Sequence, residues 1–496
     1  MGLTSDITAL LRHPEKFYIG GEWVEPSSES KIDVLDSDSE ELAFSVAEAQ
    51  AADMDRAITA AREAFDNGPW PRMTHQQRAE YLRGLADALE QRSRAYGEIW
   101  PRESGVLYSL AKAMSAANPP IFRYYADLAA TYPFEEEVTP IPSSLPGGDY
   151  GLLIREPVGV VGAIIPWNGP LKLIVSKTAP ALLAGCTVIV KVSPEAPAAG
   201  YIIAEVAEAV GMPPGVVNVV TAGREVSELL VTDARVDKIS FTGSTAAGRR
   251  IGSIMGGRIG RCTLELGGKS AAVILDDADF DAAAQALAGA QCILSGQVCA
   301  ALTRIVVPRA KHDEFADALA AAFSAVTVGD PFDPATGMGP LAMGRQRDRV
   351  EGYIAQGIDE GAKLITGGGR PKHLERGYYI EPTVFAGVDN NHVIAREEIF
   401  GPVLSVIPAQ DEEDAIRIAN DTIYGLNAAV FTSSAVRARE VGGRLRSGTV
   451  GHNNLRIDST WMAFGGYKQS GIGREGGKEG LLPYLEVKTM ILDEKP

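Results

Sequence analysis

Four short stretches of the chain hold side chains able to do covalent or acid–base chemistry. Ser295-Gly-Gln-Val-Cys299-Ala-Ala-Leu-Thr-Arg304 sets one cysteine behind a Gly-Gln turn. The alanines after it suggest a helix, whose N-terminus would lower the thiol pKa from about 8.5 and favour a thiolate nucleophile. Alone, a cysteine there is equally a small buried hydrophobe. Thr263-Leu-Glu265-Leu-Gly-Gly-Lys-Ser270 places one carboxylate in an apolar strand end before two glycines. A semi-buried Glu has a raised pKa and suits general-base work near neutrality; the other reading is a Glu that caps a turn or pairs with Lys269. Ile165-Pro-Trp-Asn168-Gly169-Pro170 ends a buried strand. Its Asn amide either satisfies the turn or aims into a crevice, where such a donor stabilises an oxyanion by about 3–4 kcal/mol. Glu397-Glu398-Ile-Phe400-Gly-Pro402 carries a carboxylate and an aromatic ring two residues apart, on one side of an extended segment. They could grip a ribose and cover a flat ring, or simply begin a strand.

A fifth stretch is a turn rather than a reactive group. Phe241-Thr-Gly-Ser-Thr-Ala-Ala-Gly248 follows a strand and precedes a helix, a setting that favours phosphate. A Walker A loop would need Lys-Ser/Thr after the last glycine, where Arg249-Arg250 stand, and the GxGxxG fingerprint is absent.

These groups need a scaffold, and the apolar pattern supplies one. Val158–Trp167, Thr187–Val192, Val216–Val220 and Lys238–Thr242 read as strands, the first two as near-continuous apolar runs suited to burial on both faces. Helical stretches at 171–184 and 198–211 alternate with them, which predicts a parallel, doubly wound sheet binding ligands at its carboxyl end. The pattern restarts near Cys262–Gly268, with further strands near 271–275, 304–307, 402–407 and 428–431. Upstream, 17–25 read as a short strand or hairpin, and 53–65, 76–97 and 107–130 as helices, with Tyr124-Tyr125 in packing. Residues 134–157, rich in Pro and Gly, read as a projecting hairpin. The β-prone tail Pro483–Leu492 should pair with that arm or with another chain, since an unpaired edge is a liability.

Composition limits the function classes. The 496 residues exceed one core, so two or three domains are expected. A net charge of −17 argues against non-specific nucleic-acid binding, although a local site can still take an anion. Four cysteines without a CxxC pair, and six histidines, make a zinc site or disulfide framework unlikely, so no metal is expected. With no signal-like N-terminus, no myristoylation motif (Asp6 stands where Ser or Thr is needed) and no apolar run long enough for a membrane, a soluble cytoplasmic protein is expected.

Taken together, LELGGKS, GQVC, EEIFGPV and FGGYKQSG, in this order, resemble the aldehyde dehydrogenase superfamily over nearly the whole chain. The interval from Glu265 to Cys299 also matches. The resemblance implies an α/β fold with a Rossmann-like cofactor domain (1–136 and 157–266), an α/β catalytic domain (267–469) and a small β-arm for oligomerisation (137–156 and 483–496). It implies Cys299 as nucleophile, Asn168 with the Cys299 N–H as oxyanion donors, Glu265 as general base and Lys177 as a supporting lysine. Lys191 would hold the adenine-side ribose, Ser244 the pyrophosphate, and Glu398 and Phe400 the nicotinamide ribose and ring. Ile164, Ile165, Pro166, Trp167, Ser193, Glu195, Phe241, Gly243 and Leu266 complete the cofactor contacts. The chemistry implied is a thiohemiacetal, hydride loss to nicotinamide, and a thioester hydrolysed by Glu265-activated water. Members that pass the acyl group to coenzyme A generally lack this Glu, so a free acid is expected.

Two departures bear on specificity. Many NAD-preferring relatives carry a Glu three residues after the lysine; here Pro194 stands there and Glu195 follows. NAD is the expected cofactor, with NADP possible. Gly169 and Ser176 replace aromatics common in the family, and small residues, Val298 and Ala300, flank the nucleophile. With Leu173 and Phe464 they outline a wide pocket, expected to take bulky aromatic or terpenoid aldehydes. Self-association as a homodimer or homotetramer is expected, with no nucleic-acid or membrane partner. Two other readings are an esterase, or a semialdehyde reductase running the thioester step backward, on the same covalent site, and a non-enzymatic binding or structural protein on the same scaffold.

Overall fold

A computed structural model describes residues 10–138, 150–457 and 460–496. The apolar runs become parallel strands buried on both faces. Val160–Ile164, Thr187–Val192, Val217–Thr221, Lys238–Thr242 and Arg261–Glu265 form the parallel centre of an eight-stranded sheet. Every residue of the first four is buried. Helices Pro170–Ala184, Ala198–Val210, Arg224–Thr232 and Thr245–Gly257 connect them. The order runs outward from Val160–Ile164 in both directions, so that strand and its neighbour Lys238–Thr242 form the switch point where a crevice opens. The hairpin Phe17–Ile19 and Glu22–Val24 extends one side, antiparallel to Val217–Thr221. Gly471–Ile472 closes the other, beside Arg261–Glu265.

A second sheet of seven strands is built from Ser270–Ile274, Leu302–Pro308, Val403–Ala409, Asn427–Phe431 and Thr449–His452, with Thr383–Ala386 and an antiparallel edge, Lys363–Thr366. The two sheets have separate apolar cores. The arm strands Glu135–Val138 and Tyr150–Pro157 pair antiparallel; residues 139–149 between them lie outside the described residues. The tail strand Leu485–Leu492 runs antiparallel along the whole of Tyr150–Pro157, the arm expected as one of its partners. Among the described residues, no helix is long and apolar enough to cross a membrane.

Three expectations are corrected. The alanines after Cys299 form no helix: Cys299 and Ala300 turn, and the chain enters the strand Leu302–Pro308, whose Ile-Val-Val run favours pleated backbone. No helix therefore begins at the cysteine itself. The helix expected over 107–130 divides into Tyr108–Ala116 and Pro119–Leu128, because the pair Pro119-Pro120 has no backbone N–H to continue the first helix's hydrogen bonds and suits the first turn of a new one. A two-stranded sheet, Lys31–Leu35 with Leu42–Ala47, was not anticipated.

Candidate active site

Asn168, Glu265 and Cys299 converge from three strand–loop junctions on one cavity of about 330 Å³. Asn168 follows the end of Val160–Ile164, just before Gly169-Pro170 open the next helix; proline is tolerated there because that N–H has no helical partner. Glu265 is the last residue of its strand, in register with Thr242 on the neighbour. Cys299 sits in the tight loop between the helix Phe280–Cys292 and the strand Leu302–Pro308.

That loop is held in an unusual shape. Leu294, Ser295 and Gly296 have φ of 50°, 54° and 77°, left-handed values that non-glycine residues adopt at a cost. A Cβ on Gly296 would lie 2.3 Å from the Gly401 carbonyl carbon, so only glycine fits. The Ser295 hydroxyl lies 2.8 Å from the Gly339 carbonyl. Buried Gln297 ties the turn at three points. Its amide donates to Leu294 O at 2.9 Å, its side-chain oxygen accepts from Ala342 N at 3.0 Å, and its own carbonyl accepts from Asn168 Nδ2 at 2.9 Å. The last bond joins the oxyanion candidate to the nucleophile loop, and an amide nitrogen has a second hydrogen to offer the cavity.

The carboxylates lie in surroundings that disfavour charge. Both Glu265 oxygens are buried without a hydrogen-bond partner. Burial, with the Glu475 charge adding to it, raises its pKa well above the usual carboxylate range, against smaller opposition from Lys177 and Arg474. A Cβ on Gly465 would fall 2.7 Å from Glu265 Oε1, so the glycine pair before Tyr467 makes room for the carboxylate. Glu475 lines the same cavity and is ion-paired with Lys177, which is fully buried and also donates to Thr242 Oγ1 at 2.7 Å. Burial pushes Glu398 up to about 7, even though its Oε1 accepts from Gly268 N at 3.0 Å. The Cys299 thiol is pushed up to about 12, first by desolvation, then by the charges of Glu398 and Glu265.

A second opening of about 310 Å³ lies at the switch point, with Trp167 on the walls of both. Ile164, Phe241, Val231, Ile251 and Ile254 give it apolar sides, and Lys191, Ser193 and Glu195 line one corner. Burial lowers Lys191 to about 8, with Glu195 opposing. Ser244 caps the helix Thr245–Gly257, accepting from Ala247 N. A Cβ on Gly243 would clash with the Phe241 ring at 2.5 Å, which keeps backbone exposed where a ligand approaches. Phe400, at φ 63°, meets Trp167 edge-on at 5.4 Å, and Gln346 holds that turn by donating to Phe400 O at 2.8 Å. These features fit a dinucleotide: flat apolar walls, a cation at a strand end, and a helix N-terminus between the two openings.

The aldehyde dehydrogenase family model matches residues 23–490. The chain belongs to the aldehyde dehydrogenase family. Its relatives include a geranial dehydrogenase of Castellaniella defragrans, 44% identical over 96% of this chain and 98% of the relative. A Mycobacterium tuberculosis aldehyde dehydrogenase solved with NAD+ is 44% identical, with a TM-score of 0.93 over 96% of this chain and 98% of that one. Aldehyde dehydrogenase C of Pseudomonas syringae, a mutant solved with NAD+ and octanal, is 39% identical, with a TM-score of 0.92 over 98% of each.

In this aldehyde dehydrogenase, the residues singled out from sequence fall into three groups. Pro166, Trp167, Asn168, Gly169, Leu173, Gly243, Ser244, Glu265, Leu266, Val298, Cys299, Glu398, Phe400 and Phe464 line the first cavity. Ile164, Lys191, Ser193, Glu195 and Phe241 line the second. Lys177, Ile165, Ser176 and Ala300 line neither. Lys177 bonds Glu475, which does line the first cavity; Ile165 is a core side chain whose N–H bonds Lys191 O at 2.9 Å. Ser176 and Ala300, expected to widen the pocket, are buried away from it: Ser176 within its helix, Ala300 against Leu426 and Phe464. Glu475 and Gln346 had been overlooked. Glu475 was visible only as a lone carboxylate in a glycine-rich run, and Gln346 as one polar residue on an amphipathic helix.

Proposed function

We propose that the enzyme oxidises a bulky hydrophobic aldehyde to the free acid, with NAD(P)+ as hydride acceptor, through a thioester on Cys299. The observation that carries this reading is the convergence of Cys299, Asn168 and an unpaired, buried Glu265 on one apolar-walled cavity. The Cys299 thiolate adds to the aldehyde carbon, and the carbonyl oxygen becomes an oxyanion held by the free Asn168 N–H and the Cys299 backbone N–H. When bound, the nicotinamide ring supplies the hydride acceptor that turns this adduct into a thioester. Glu265 then takes a proton from water, whose oxygen attacks the acyl carbon and releases the acid and the thiolate. Its raised pKa makes Glu265 a strong base once ionised, and Glu475, paired with Lys177, is the next group able to relay the proton. Lys191, Ser193 and Glu195 bind the adenine-side ribose, and Ser244 the pyrophosphate. Glu398 and Phe400 fix the nicotinamide end.

Met114, Leu173, Val298, Ile457 and Phe464 give the substrate end a continuous apolar wall. A Cβ at Gly169 would meet nothing within 4 Å, so the missing aromatic leaves real space. The relatives named for geranial and solved with octanal support the same substrate class. Steady-state nucleotide reduction tests it: kcat/KM should rise from acetaldehyde to benzaldehyde to a branched long-chain aldehyde. A higher value for acetaldehyde would overturn the preference. The four cysteines are unpaired, which supports a cytoplasmic setting. The tail strand leaves one edge open, with Val487, Met490 and Ile491 exposed, and supports self-association as a homodimer or homotetramer through the arm. Light scattering of the purified enzyme reads this directly; a monomer would refute it.

A further inference from the structure

The opening at the end of Thr187–Val192 carries a charge arrangement that hydride transfer alone does not require. Its walls hold Lys191, Arg224, Arg250 and Arg345 against two carboxylates, Glu195 and Glu228, in a chain of net charge −17. Arg250 binds Glu228 at 2.7 Å. Glu195 is engaged at both oxygens, one by the Ser193 hydroxyl and the other by the Arg345 guanidinium. Arg345 belongs to the first turn of Gly344–Asp359, far from Glu195 in sequence, and lines the same opening.

A bare carboxylate at this ribose would accept from the 2′-hydroxyl and repel a 2′-phosphate, which carries about −1.5 to −2 charges. Here Arg345 opposes the carboxylate and Lys191 adds a second cation. The Arg345 side chain is 68% exposed, and an ion pair with so exposed a member is weak. Arg345 can therefore exchange Glu195 for phosphate oxygens, which its planar fork fits better than an ammonium does. Resting on the dehydrogenase reading above, we infer that Arg345 is a specificity-determining residue that lets the ribose corner take a 2′-phosphate, so that the enzyme binds NADP+ as well as NAD+.

Calorimetric titration with 5′-AMP and 2′,5′-ADP reads this corner without turnover. The wild type should bind the two within about tenfold of each other. Arg345→Gln should lower the affinity ratio of 2′,5′-ADP to 5′-AMP on the order of tenfold, the loss of one charge-assisted contact. Arg345→Lys should recover part of it. Arg250→Gln, which removes a cation tied to Glu228 in the same cleft, should move the ratio less than about threefold. A wild type that prefers 5′-AMP by more than about tenfold, or an Arg250→Gln effect as large as that of Arg345→Gln, would overturn the inference. NAD+-dependent aldehyde oxidation, measured alongside, separates the two failures. Its absence in the wild type strikes the dehydrogenase reading, whereas a wrong affinity ratio strikes only the role of Arg345.

Discussion

The two openings that share Trp167 treat charge in opposite ways. Around Cys299, burial raises Glu265, Glu398 and the thiol itself, so these three groups are held toward their neutral forms. Around Lys191, cations outnumber carboxylates, and Glu195 is held below the usual range: burial works to raise it, but the Ser193 hydroxyl and Arg345 together outweigh that. One region withholds negative charge until chemistry needs it; the other is prepared to receive it. Reaction and binding should therefore fail separately when either region is damaged.

The largest effect should come from the nucleophile. Cys299→Ala should lower aldehyde-dependent nucleotide reduction on the order of 10⁴-fold or more, while dinucleotide affinity, read by calorimetry, stays near that of the wild type. Loss of both together would mean that the two openings are one functional unit, and the contrast would break. Glu265→Gln comes next, at roughly 10²–10⁴-fold in steady-state rate. Because the base serves hydrolysis, the variant should accumulate acyl-enzyme, visible as a mass increase on the intact chain. An equally slow enzyme without that adduct would move Glu265 to an earlier step. Asn168→Ala should cost about 10²–10³-fold. Its amide also bonds the Gln297 carbonyl, so a crystal structure of the variant should show the Cys299 loop in place if the loss is electrostatic.

How much of this was legible in the sequence follows from what each residue's neighbours are. Buried parallel strands announce themselves: Thr187–Val192 is apolar but for Thr187 and Lys191, and a run of that kind has few other folds available. Lys31–Leu35 and Lys363–Thr366 carry only partial burial, and their mixed pattern gives no such signal. The candidate nucleophile, base and oxyanion donor could be named because each sits in a motif. Their electrostatics could not, since the raised Glu265 pKa comes first from burial in the folded chain and then from the charge of Glu475, more than two hundred residues away in the sequence. The same holds for Cys299. Alanine propensity suggested a helix to activate the thiol, but the strand pairing of Leu302–Pro308 with Ser270–Ile274 overrode it.

That correction leads to the smallest and most specific effect. With no helix starting at Cys299, the thiol of the free enzyme, pushed up to about 12, should react slowly with iodoacetamide at neutral pH and faster as pH rises. After desolvation, the Glu398 carboxylate raises the thiol most, and Glu398 is itself pushed up to about 7, so it is largely ionised by pH 8 to 9. Glu398→Gln removes a negative neighbour, which favours the thiolate and lowers the Cys299 pKa. At pH 8 to 9 the alkylation rate should rise by about threefold, corresponding to roughly half a pKa unit. At pH 5, where Glu398 is already protonated, wild type and variant should react alike. An acceleration that persisted at pH 5 would trace to altered packing beside Gly267, which Glu398 presses against, and not to charge.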